Sequence, residues 1–152
     1  MPNRLAADDP IYTTFQKRSI YLPIVRNVLP DVLALFDAAD PNGVTAVRSE
    51  TTVASQSLFL LNSPFVRDQA QALAERLLAD AAQTDEQRIA RAHQVVFGRN
   101  PTVEESVQAS EFLTDYAASP VAQARPVEVR SRMAWQSYCQ ILMCSNEFLY
   151  VE

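Results

Sequence analysis

Leu58, Phe59, Leu60 and Leu61 stand side by side, and Asn62-Ser63-Pro64 follows at once. A helix through four consecutive apolar residues is apolar on every side, and such a helix has to be buried. The triplet after it predicts a tight corner. Asn62 tolerates the left-handed C′ position, Ser63 can cap, and Pro64 suits the first position of the next helix. The stretch Thr51–Ala81 therefore reads as a buried helix, a corner and a second helix, with the rest of the chain packed around them.

Glycine usage narrows the class further. The 152 residues hold two glycines and nine prolines, which leaves little for hairpin turns or phosphate loops and favours helices joined at proline-marked corners. A chain of this length can bury a sizeable core. The expectation is an all-α fold, a single bundle of about five helices with an irregular N-terminal arm. Residues 1–17 form a loosely ordered leader in this reading, and 18–152 form one helical domain.

The arm contains Arg18-Ser19-Ile20-Tyr21-Leu22-Pro23, where Pro23 confines any extended segment to an edge or a non-strand conformation. Pro30 opens a short apolar turn, and Asp40-Pro41-Asn42-Gly43 closes it. Beyond Pro64, Val66, Ala70, Leu73, Ala74, Leu77, Leu78 and Ala81 recur at helical spacing. Thr84 with Gln87, and Thr102 with Glu105, read as capping boxes opening two further helices. Gly98 ends the first of these as its C′ residue. A polar connector over 119–126 leads into a last helix from about Val127 to Ser145. That helix turns apolar on most sides through Trp135, Tyr138, Cys139, Ile141, Leu142, Met143 and Cys144. The two most apolar helices, 52–61 and 134–145, are expected to be neighbours.

The net charge of −5, with Lys17 the only lysine, gives no basic stripe for nucleic acid. Cys139 and Cys144 lie five apart in one predicted helix, roughly 8 Å between α-carbons, too far for a mutual disulfide. They read as buried small hydrophobes. No apolar run has the length of a membrane span, and the first residues lack the apolar core of a signal peptide.

No catalytic, metal or cofactor motif stands out. His93 is the sole histidine, which excludes sites built from several, and it lies on the apolar face of its helix between Ile89 and Phe97. Glu104 and Glu105 are explained by the helix start, and Asp37 and Asp40 by a turn. The residues singled out for binding are Arg18, Tyr21, Arg26, Arg48, Thr52, Gln56 and Asn62. If 18–50 lies across the first core helix, their guanidiniums can clamp a carboxylate or phosphate. The competing reading is that they satisfy the irregular backbone of that segment.

Several motifs carry a family resemblance. They are Arg18–Pro23, Asp40-Pro41-Asn42, Thr51-Thr52-Val53 with Leu58–Val66, Phe97–Thr102 with Glu105, and Ser145–Val151. In this order they resemble the C-terminal half of a planctomycete-specific domain of unknown function that ends large proteins, often behind a cytochrome-c-like domain. The resemblance spans nearly all of 17–152, with two departures, Ala54 where a proline is usual and His93 where an aromatic is usual. It implies no catalytic residues and no cofactor. It implies a portion of a larger exported or surface-associated protein, whose partners are the other domains of that protein or a separate one. The expected function is a non-catalytic interaction or scaffolding module, and the alternative is a ligand-binding or enzymatic domain using the Arg18–Asn62 cluster.

Overall fold

The computed structural model describes residues 9, 11–14, 19–23, 25, 29–39, 42–43 and 54–149. The chain divides into two compact units, 1–58 and 59–152. The described residues are helical and contain no strand, as the scarcity of glycine predicts. The helices are α1 (Ile11–Thr14), α2 (Asp31–Leu35), α3 (Ala54–Asn62), α4 (Pro64–Leu78), α5 (Asp85–Val96), α6 (Val103–Ala118), α7 (Pro120–Gln123), α8 (Val127–Met143) and α9 (Asn146–Leu149).

In the first unit, buried Tyr12 on α1 donates its hydroxyl to the carbonyl of Pro23 at 2.9 Å. Ser19–Tyr21 form one 3-10 turn. Pro30 precedes α2 and accepts from the backbone N–H groups of Leu33 and Ala34.

The second unit holds the core. Ala70, Leu73, Ala74 and Leu77 of α4 face Trp135, Tyr138, Cys139 and Leu142 of α8, with Ile89 and Ala92 of α5 and Ala109 of α6 closing the cluster. The α4–α8 contact is the most extensive among the described helices. Small residues make it possible: Ala70 and Ala74 are wholly buried and Ala134 nearly so. With no side chain beyond Cβ, they let the two backbones approach closely.

Here the structure corrects the opening expectation. Leu60 is buried, but Leu58 and Leu61 are 59% and 52% exposed. The partner of α8 along its length is α4, and α3 reaches α8 through Gln140, whose Nε2 donates to the carbonyl of Leu61 at 2.9 Å. The physical reason lies in stripe length. Nine residues of α3 offer a single apolar cluster, whereas fifteen residues of α4 carry an unbroken inward stripe. The longer stripe removes more apolar area from water.

The corner also differs in detail. Asn62 stays helical, and among the described residues a positive φ occurs only at Asp37 and Gly98. Ser63, extended and buried, makes the bend without a side-chain cap, and Pro64 takes the first helical position.

Both capping boxes form. The Gln87 N–H donates to Thr84 Oγ1 at 3.3 Å while the Thr84 N–H donates to Gln87 Oε1 at 2.9 Å. Thr102 and Glu105 repeat the exchange at 3.2 and 2.6 Å. Gly98, with φ of +73°, supplies the left-handed residue that ends α5. The connector contains a feature the sequence pattern did not reveal: Ser119 caps the short α7, accepting from the Ala122 N–H.

Thr84→Ala removes one of these caps and should cost about 1 kcal/mol, a fall in Tm of about 2–4 °C. A thermal melt unchanged within error would show that the box contributes nothing to holding α5.

Candidate functional site

The densest polar constellation in the second unit forms where α5, α6, α8 and α9 meet. Gly98 turns the chain out of α5 and delivers Arg99 to the start of α6. There Arg99 Nη1 and Nη2 donate to Glu105 at 2.8 and 2.7 Å, and Arg99 Nε and Nη2 donate to Glu147 at 2.7 and 2.6 Å. One guanidinium thus binds two carboxylates, one 6 and the other 48 residues further along the chain, each through two bonds, the geometry for which arginine is suited. Its Nη1 also donates to the Asn100 carbonyl, and its cationic centre lies 5.5 Å from the Phe97 ring centroid.

Electrostatics follow the geometry. The hydrogen bonds from Arg99, with that from the Thr102 N–H, hold the Glu105 carboxyl down at about 2. The same guanidinium lowers Glu147, and the two carboxylates raise Arg99 above its ordinary value.

Behind this exposed layer His93 is almost fully buried. Its Nε2 lies 3.0 Å from the Tyr138 hydroxyl, and its Nδ1 lies 3.9 Å from Glu105 Oε2. Among the described residues no group hydrogen-bonds to Nδ1, although it is buried. Phe97 meets the imidazole edge-on at 5.2 Å between centroids. Burial lowers the His93 pKa from 6.5, with the Glu105 charge opposing. Burial likewise raises Tyr138 and pushes Cys139 up to about 12.

Chemically, this arrangement joins four elements. Its one guanidinium is shared between two carboxylates, and the Cys139 thiol, protonated and enclosed, is no nucleophile at neutral pH. Both cysteines are free, Cys139 buried and Cys144 partly so, in accord with the sequence reading. Among the described residues no group of three or more His, Cys, Asp or Glu side chains could hold a metal ion. Between α4 and α5 lies a cleft of about 140 Å³ lined by Leu73, Arg76, Leu77, Gln83, Arg91 and Val95.

Of the residues singled out from the sequence, Arg18, Arg26, Arg48 and Thr52 lie outside the described residues. Tyr21 is 70% exposed. Gln56 is buried and donates through Nε2 to the carbonyl of Leu35, the last residue of α2, at 2.9 Å. Asn62 is exposed at the end of α3. The Arg99 cluster was missed as a cluster. Glu105 was legible as a cap partner, and Arg99 follows the helix-ending Gly98, but nothing local links either to Glu147.

The folded chain is thus an all-α protein whose polar cluster serves as an interhelical staple. Residues 6–113 match the family described as a protein of unknown function (DUF1553), and the chain belongs to that family. The matched stretch ends within α6, so α7, α8 and α9 lie beyond it. No curated protein and no solved structure matches the chain.

Among the described residues no helix is long and apolar enough to cross a membrane.

Proposed function

We propose that this chain is a non-catalytic interaction module that docks another protein domain. The observation that carries the reading is the apolar surface left at the α3–α4 corner. Leu61 and Phe65, four residues apart on either side of Ser63-Pro64, are 52% and 47% exposed. Ile141 of α8 is 49% exposed and follows Gln140, the residue bonded to the Leu61 carbonyl. Large apolar side chains that form a contiguous exposed patch favour association, and in this proposal these three form one. The polar cluster supports the same reading, since its guanidinium is already held by two carboxylates. In this proposal the partner is another domain of a larger exported planctomycete protein, a cytochrome-c-like domain being the one implied by the sequence resemblance.

The test is an NMR titration of the isotopically labelled chain with such a cytochrome-c-like domain. Amide shifts should centre on Leu61, Phe65 and Ile141. The double variant L61D/F65D should abolish them while leaving far-UV circular dichroism unchanged. Absence of any shift at millimolar partner would contradict the reading. Shifts centred on Tyr21 and Gln56 would favour the polar arm as a binding site instead.

A further inference from the structure

The Arg99 cluster explains how α9 is held, but it leaves one buried atom unexplained. His93 Nδ1 has no hydrogen-bond partner and faces a carboxylate oxygen at 3.9 Å, beyond hydrogen-bond length. The atom therefore faces Glu105 directly.

The tautomer follows from that placement. If Nδ1 carried a bare lone pair, it would face the negative Glu105 oxygen, so the neutral ring carries its hydrogen there. Nε2 then accepts from the Tyr138 hydroxyl across 3.0 Å. One proton added to this ring goes to Nε2, and two consequences arise. First, Nε2 becomes a donor, so the Tyr138 bond must reverse and the phenolic hydrogen needs a new acceptor. Second, Nδ1–H, now part of a cation, attracts Glu105 Oε2, an oxygen that already accepts from the Thr102 N–H at 2.6 Å and Arg99 Nη1 at 2.8 Å.

We propose that His93 is a proton-operated latch on the C-terminal turn: its protonation reverses the Tyr138 bond, competes with Arg99 for Glu105, and leaves the Arg99–Glu147 pair without its anchor on α6. Helix α9 then loosens from the bundle. The charged groups acting on the imidazole are Glu105 from α6, Arg99 from the preceding turn and Glu147 from α9. From α8 it meets Tyr138, with Cys139 beside it, both protonated far above the range concerned. No charged group of α4 acts on it among the described residues.

The direction with pH follows from linkage. Above pH 6.5 the ring is neutral in both folded and unfolded chains and stability is independent of it. As pH falls below 6.5, the unfolded chain takes the proton first, because burial lowers the folded value. Stability therefore declines until the folded pKa is passed, and is level below it. Glu105, held at about 2, stays charged throughout.

The chain's single histidine and single tryptophan make the test unambiguous. Imidazole nitrogen NMR of the full chain at pH 7.5 should show hydrogen on Nδ1 and a bare Nε2, and titration should give a pKa below 6.5. As pH falls below 6.5 the Tm should fall, and the backbone amides of Asn146–Leu149 should lose order in the heteronuclear Overhauser effect as the folded ring takes its proton, at the pKa that the same titration gives. His93→Phe and His93→Gln should both abolish the pH-dependence of the amide signals, the second retaining an acceptor for Tyr138. Hydrogen on Nε2, a pKa at or above 6.5, or amides of α9 that stay ordered through the titration would each overturn the latch.

Discussion

Trp135→Ala should lower stability by about 3–5 kcal/mol, the range for deleting a large buried aromatic. Trp135 is 3% exposed in the middle of α8 and meets Tyr138 edge-on, with 5.8 Å between ring centroids. Alanine there forfeits the buried area, leaves a cavity beside the α4 stripe, and removes the ring that meets Tyr138, the partner of His93. Urea unfolding followed by far-UV circular dichroism measures the loss without needing tryptophan fluorescence. A change below about 1 kcal/mol would mean that α8 is not central to the fold.

The second large effect runs in the opposite steric direction. Ala74→Leu should destabilise by about 1–3 kcal/mol or more, because added carbons must enter a seam with no room for them. Ala74 is wholly buried in the cluster that α4 forms with α8. Ala72, exposed on the outer face of the same helix, supplies the control. Ala72→Leu changes helix propensity almost as little and should be close to neutral. Equal effects at the two positions, read from denaturant midpoints, would contradict the seam.

These expectations show what could be read from the residues. The inward stripe of α4, both capping boxes and the α5 end at Gly98 were legible because each is local, fixed by spacings of three, four or seven residues along one helix. The burial of α3 was misjudged for the complementary reason. Four adjacent apolar residues show that a helix can be buried, but which helix α8 accepts depends on competition between stripes distant in sequence. The Arg99–Glu147 pair was invisible on the same ground, since its partners are 48 residues apart and neither has a local signature. His93 was correctly placed on an apolar face. Its tautomer and its orphaned Nδ1 needed Tyr138 and Glu105 from two other helices. Of the polar arm, Gln56 donates to the Leu35 carbonyl, a bond that satisfies backbone.

The whole account depends on α4 and α8 forming the core seam while the apolar face of α3 at Leu61 remains available to a partner. Native-state amide hydrogen exchange on the full chain tests this most directly. The slowest amides should cluster around Leu73–Leu77 of α4 and Trp135–Leu142 of α8, with α3 exchanging through smaller local openings. Protection in α3 equal to or greater than that of α4 and α8 would contradict the account.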